Sequence, residues 1–195
     1  MQECPPTPMR QVRAAFDTST ITVYQAYSAA IAVPAIAAQI FVAPFSLNRM
    51  TWIKPSFLWM MHRSRWGTAP GQEHVLAIKI TRAGFEAALS SAVLSHFDPG
   101  VYVDADQWQE RKNASPIRVQ WDPERDIALN PLPWRSIQIG LAGSAVRAYR
   151  DEWILAIDDV TDVAHNLAGS PNRLLPHERP YPLPDPVVKA IGASR

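Results

Sequence analysis

Proline sets where this chain can be regular. Of its eighteen prolines, Pro5, Pro6 and Pro8 crowd the start, and Pro171, Pro176, Pro180, Pro182, Pro184 and Pro186 crowd the end. A locked φ and a missing N–H make such spacing unfit for a helix interior or a central strand. The sequence therefore predicts one folded unit over residues 9–169, then an extended, polyproline-like C-terminal tail over residues 170–195 that could dock on the domain or on a partner. Pro34 and Pro44, with Tyr24, Gln25, Tyr27, Ser28 and Gln39, also interrupt the most apolar run, Ile21 to Phe45. No membrane span is expected there.

Nineteen Lys and Arg stand against eighteen Asp and Glu, which excludes binding to nucleic acid or membrane through overall charge and leaves only local patches. The single cysteine, Cys4, excludes a disulfide framework or a cysteine-based metal cluster within one chain and points to a reducing, cytoplasmic setting. The five histidines lack the i,i+4 pairing of a helical zinc site, so no metal is expected. No P-loop, nucleophile elbow or dinucleotide glycine fingerprint appears.

Between the proline-rich ends, helices and strands alternate irregularly. A helix capped within Asp17 to Thr20 is predicted to run through Tyr24 and Tyr27, with Pro34 kinking or splitting it. A second starts at Pro55, with Ser56 at its mouth, and carries Phe57 to Met61 toward Arg63. His74 to Thr81 reads as a strand, Gly84 to His96 as a helix, and Ile117 to Asp122, Ser136 to Leu141 and Trp153 to Ile157 as short strands. Asp159 to Leu167 reads as a closing helix. The expected fold class is α+β, a single domain with a curved, mainly antiparallel sheet and flanking helices.

Two stretches can carry chemistry. In the first, Arg49, Lys54, Arg63 and Arg65 interleave with Trp52, Phe57, Trp59 and Trp66. Cations neutralise phosphates, indole faces stack on bases, and the helix start at Ser56 offers N–H groups to an anion. The bland alternative buries the aromatics in the core. The second runs from Arg118 to Arg125, followed by Arg135 and Gln138. Strand alternation sends Gln120 and Asp122 to one face and leaves Glu124 in a turn made by Pro123. Asp122 and Glu124 are the acid candidates, with Lys54 as a third catalytic candidate. Arg13, Tyr24, Gln25 and Tyr27 supply further polar groups from the N-terminal segment.

Five stretches, Arg13 to Asp17, Thr20 to Tyr27, Arg49 to Met61, Val119 to Arg125 and Arg135 to Gly140, resemble the bacterial and fungal domain-of-unknown-function family 4291 from about Arg10 to about Thr161. That family implies no catalytic residues. In outline, the order of elements is also similar to small NAD-consuming ADP-ribosyltransferases, which bind NAD in the cleft of a split sheet. That similarity implies an enzyme acting on a nucleotide-type substrate, with NAD as co-substrate and a nucleic acid or small molecule as acceptor. Arg13 and the Lys54 region would hold the pyrophosphate, Tyr24 or Tyr27 would stack on nicotinamide, and Asp122 or Glu124 would assist transfer. The alternative similarity, to PUA and ASCH RNA-binding modules, implies that the same basic and aromatic groups bind a strand without catalysis.

Overall fold

The computed structural model describes residues 7–168, 170 and 174–194; Cys4, Gly169 and Pro171 lie outside them. Where a helix is predicted from Asp17, the chain forms strand. Arg13–Ala14 is β1, and Thr20–Tyr27 is β2, whose Ile21, Val23 and Gln25 point inward and are buried. The tyrosine spacing suits a helix, but the β-branched run Thr20 to Val23 fits a pleated surface better. Asp17 caps the preceding turn instead of a helix. Its Oδ1 accepts the N–H groups of Ser19 and Thr20 at 2.8 and 2.7 Å.

Helix α1, Ala29–Ala38, follows β2 and continues past Pro34. Strand β3, Thr51–Ile53, leads through Lys54 and Pro55 into α2, Phe57–Ser64. The hydroxyl of Ser56 caps α2 by accepting the Trp59 N–H at 3.1 Å. The helix ends where Arg65, Trp66 and Gly67 all take positive φ. Strand β4, His74–Thr81, has the predicted extent and pairs with β2 along its whole length. Helix α3, Arg82–Ser90, stops short of the predicted His96, because Val93–Leu94 forms β5. A helix with no buried residue, α4 (Ala105–Ala114), comes next.

Strands β6 (Ile117–Arg125) and β7 (Pro131–Leu141) make a long antiparallel hairpin. Glu124 therefore lies in a strand, not in a turn: Pro123 is accommodated at an irregularity in the pairing. Helix α5, Gly143–Ala148, and one π-helical turn, Tyr149–Trp153, lead into β8, Ile154–Asp159, and α6, Thr161–Leu167.

The strands form two larger antiparallel-dominated sheets, β2-β4-β8 and β3-β7-β6-β5. They meet at one bridge: Tyr24 N–H donates to the Lys54 carbonyl at 2.7 Å, and Lys54 N–H returns to the Tyr24 carbonyl at 3.3 Å. The main core joins both sheets through Ile21, Ile53, Ile78, Phe85, Val119, Ile139 and Tyr149; each such side chain contributes about 1.5–3 kcal/mol by burial. A smaller cluster holds Tyr24, Phe57, Met60 and Met61 against Val75 and Leu167.

The C-terminal segment is not an extended tail. Arg179–Pro180 forms β9 against β1, and Asp185–Ala190 forms helix α7. Tyr181, Val187 and Ile191 are buried in the main core. Proline is tolerated in a first helical turn, where its missing N–H has no intrahelical partner to lose, so Pro184 and Pro186 start α7 rather than forbid it. The protein is a mixed α+β single domain with seven α-helices among the described residues.

Candidate functional site

The seam between the two sheets opens into a cleft of about 610 Å³. Strand β3 and Lys54 form its floor, α2 lines one wall with Trp59, Met60 and Arg63, and β6 and β7 line the other with Gln120, Asp122 and Gln138. Gln25 and Tyr27 enter from β2, Arg49 and Trp52 from around β3, and Gln72 from the loop after α2. Ten residues singled out in the sequence thus converge here: Gln25, Tyr27, Arg49, Trp52, Lys54, Trp59, Arg63, Gln120, Asp122 and Gln138.

Lys54 is the least ordinary of them. It is only 7% exposed, its Nζ donates to the Trp52 carbonyl at 3.2 Å, and it lies 5.3 Å from the centre of the Trp59 ring. Burial disfavours its charge and the Arg63 guanidinium adds repulsion, while Asp122 partly offsets both; the amine is pulled down to about 7. A lysine so placed exchanges its proton near neutral pH.

Register explains how Asp122 is held. Gln120 lies opposite Gln138 and Asp122 opposite Ser136, so these side chains share one face of the hairpin. Gln120 Nε2 donates to Asp122 Oδ1 at 2.8 Å, and Gln138 Nε2 donates to Oδ2 at 2.5 Å. Both carboxylate oxygens are thereby fixed by neutral amides. The guanidinium groups of Arg49 and Arg63 make no hydrogen bond or ion pair among the described residues, which leaves two cations at the rim for an anion.

The floor is braced from beneath. Gln25 Nε2 donates to Thr51 Oγ1 at 2.7 Å and to the Tyr27 hydroxyl at 2.8 Å, while its Oε1 accepts from the buried Tyr149 hydroxyl at 2.7 Å. Burial pushes the Tyr27 hydroxyl up to about 12. Trp52 is set by its cross-strand partner Gly140, where a Cβ would come within 2.6 Å of Met50 Sδ and 3.0 Å of the indole. A side chain there would have to displace Met50 and press on that ring.

Five other residues expected at the site lie elsewhere. Arg13, Tyr24, Ser56 and Glu124 belong to a second cluster across the Lys54 to Ser56 turn. Ser56 donates to Glu124 Oε1 at 2.8 Å, and the Phe57 N–H donates to Glu178 Oε1 at 2.7 Å. Arg13 donates to the Glu178 carbonyl at 3.2 Å. Desolvation raises both carboxyls; Glu178, which Glu124 also repels, reaches about 8. Tyr24 is buried edge-on to Phe57, and its hydroxyl is pushed up by burial and then by Glu178. Arg135 lines a separate hollow. Glu178 escaped the sequence reading because it sits in the proline-rich segment taken as a tail.

No group of three or more His, Cys, Asp or Glu among the described residues is placed to hold a metal ion. No helix among them is long and apolar enough to cross a membrane. An α+β domain whose two sheets part around a buried lysine is thus the class of protein that fold and site define. The chain belongs to the family described as Domain of unknown function (DUF4291), whose model matches residues 11–181. The match reaches β9 and Tyr181, so it includes part of the C-terminal segment. No curated protein and no solved structure is significantly similar to the chain.

Proposed function

We propose that this protein is an enzyme acting on a nucleotide-type substrate in the seam cleft, in its sharpest form an ADP-ribosyltransferase that uses NAD. The observation that carries the proposal is the convergence of a buried Lys54, drawn down to about 7, with the amide-braced Asp122 and the uncompensated Arg49 and Arg63. Burying Lys54 costs stability unless something is gained by it. The volume lies within the ordinary range of about 300–1,000 Å³ for small-molecule sites. A cleft along the seam between two sheets, which are bridged at Tyr24 and Lys54, is in keeping with the split-sheet cleft of ADP-ribosyltransferases.

In this reading Arg49 and Arg63 hold the pyrophosphate, and Trp52, Trp59 and Tyr27 flank the rings. Asp122 stabilises the positive charge that develops at the sugar carbon as its bond to nicotinamide breaks, with the electron pair leaving on the neutral nicotinamide nitrogen. The acceptor atom forms the new bond to that carbon, and Lys54 takes the proton the acceptor gives up. Glu124 has no part, since its carboxylate faces Ser56 across the turn.

A non-catalytic RNA-binding module would use the same basic and aromatic groups but would gain nothing from a buried, near-neutral lysine beside a braced carboxylate. Thermal unfolding with NAD and, separately, with single-stranded RNA distinguishes the two. Ligand at a hundredfold its dissociation constant stabilises by about 2.7 kcal/mol. The expected result is a rise in Tm with NAD, and release of nicotinamide that Asp122→Asn abolishes while leaving the Tm of the free protein in place. A salt-sensitive shift with RNA alone supports the binding module. Absence of any shift with NAD overturns the proposal.

A further inference from the structure

We propose that the acceptor binds in a second hollow on the far side of Asp122, and that it is a single-stranded nucleic acid. The inference rests on reading the seam cleft as a transferase site.

Gln120 and Asp122 line both the cleft and this hollow of about 300 Å³. Two ligands, one on each side, would therefore meet at the braced carboxylate. The topology creates the opening. Strand β5 is two residues long and pairs only with Arg118 and Val119 of β6, and Ser95 N–H makes the last bond to the Val119 carbonyl at 2.8 Å. From Gln120 onward the outer side of β6 faces the hollow rather than a neighbouring strand.

Its lining suits a base and a phosphate. Arg135 is exposed there, and its guanidinium makes no hydrogen bond or ion pair among the described residues. By contrast, Arg10 in the same hollow is held by Asp98 at 2.5 Å. Phe97, 39% exposed, stands edge-on to Trp108 with ring centres 6.4 Å apart. Trp108 is anchored by its Nε1 donating to the Leu94 carbonyl at 2.8 Å, and Lys112 Nζ lies 4.3 Å from its ring centre. An exposed aromatic ring on a fixed support, near an unpaired guanidinium, is the stacking-and-charge pairing by which proteins hold unpaired nucleotides. With a net charge of only +1, such binding has to come from this local patch and not from overall charge.

The test uses the full chain and fluorescent oligonucleotides of about ten nucleotides, oligo-dT and oligo-U, read by anisotropy at two salt concentrations. The expected result is salt-sensitive binding of at least one of them, weakened about tenfold by Arg135→Ala and by Phe97→Ala. Arg135→Ala should keep the wild-type Tm, and both variants should keep its rise with NAD. The oligonucleotide should also accelerate nicotinamide release, and Arg135→Ala should remove that acceleration. The stronger of the two arms tells DNA from RNA. Absent or variant-insensitive oligonucleotide binding, with NAD stabilisation intact, overturns the acceptor site alone. Oligonucleotide binding through Arg135 and Phe97 in a protein that NAD does not stabilise overturns the transferase reading and the acceptor role with it.

Discussion

On one side of Pro55, the cleft holds Lys54 among Arg49, Arg63 and Asp122; on the other, Ser56 and the Phe57 N–H tie down Glu124 and Glu178. Both clusters hold ionisable groups that desolvation moves from their ordinary values. They differ in what remains free. In the acidic cluster, both carboxylates accept hydrogen bonds from groups that cap or start α2, and neither lines the cleft. In the cleft, the one carboxylate is spent on two glutamines while the cations at the rim have no partner. A shifted proton equilibrium by itself therefore does not mark a site. Here it marks one where the shifted group borders open volume, and a structural clamp where it does not.

The largest expected contrast follows from replacing the central group of the cleft. Lys54→Met should slow NAD turnover about 100-fold, about 3 kcal/mol, while leaving the Tm of the free protein level or higher, since an apolar side chain replaces one that is costly to bury. A nicotinamide-release assay and a melting curve on the same preparation check both halves. A fall in Tm with NAD turnover intact would place Lys54 with the clamp rather than the site.

The comparison also separates by pH, with the two groups acting in opposite senses. Glu178 titrates near 8 in the folded protein against an ordinary 4.5. Between those values the native state holds a proton the unfolded chain has lost, so this group makes stability fall as pH rises from about 5 to about 8. Lys54 titrates near 7 against an ordinary 10.5. There the unfolded chain holds the extra proton, so stability recovers from about pH 7 toward about pH 10. Urea unfolding at several pH values should show a shallow minimum between these limbs, about 2 kcal/mol deep after allowance for partial exposure. Glu178→Gln should flatten the lower limb and Lys54→Met the upper. A profile that neither variant changes would mean the two groups titrate as in solution.

Much of the cleft is legible in the sequence, because its members lie in two stretches of unusual chemistry, Arg49 to Arg63 and Gln120 to Gln138. Alternation along β6 correctly places Gln120 and Asp122 on one face. What the sequence conceals is the seam. Whether Lys54 and Ser56 face one ligand or two separate clusters depends on how β3 turns into α2 after bridging to Tyr24, a contact thirty residues away in sequence. Thr20 to Tyr27 misleads for a different reason, since tyrosines three apart satisfy a helical period while β-branched neighbours and pairing with β4 decide for strand. Helix α4 carries no apolar stripe, so periodicity has nothing to detect. In the C-terminal segment, proline frequency obscures that Tyr181, Val187 and Ile191 are core residues.

A smaller effect tests the clamp itself. Ser56→Ala removes the cap on α2 and the hydroxyl donor to Glu124. It should cost about 1–2 kcal/mol, visible as a drop of several degrees in Tm, while NAD affinity changes by no more than about twofold. A large loss of affinity with little loss of stability would join the clamp to the site.

The smallest effect lies where the cleft has a closed portion of its own. The Tyr149 hydroxyl is completely buried and donates to Gln25 Oε1, and Gln25 in turn holds Thr51 and Tyr27 under the floor. Tyr149→Phe keeps the ring and leaves one amide oxygen without its donor, at about 1 kcal/mol of stability. Because the bonds from Gln25 to Thr51 and Tyr27 survive, the floor should keep its shape and NAD affinity should fall by less than about threefold. A combined Tyr149→Phe and Lys54→Met variant should then lose turnover by the product of the two single losses to within about twofold, even though Gln25 Nε2 and Lys54 Nζ both donate to the Trp52 carbonyl at 3.2 Å. Strong non-additivity would show instead that the buried network sets the position of Lys54, and that the open and closed parts of the cleft act as one unit.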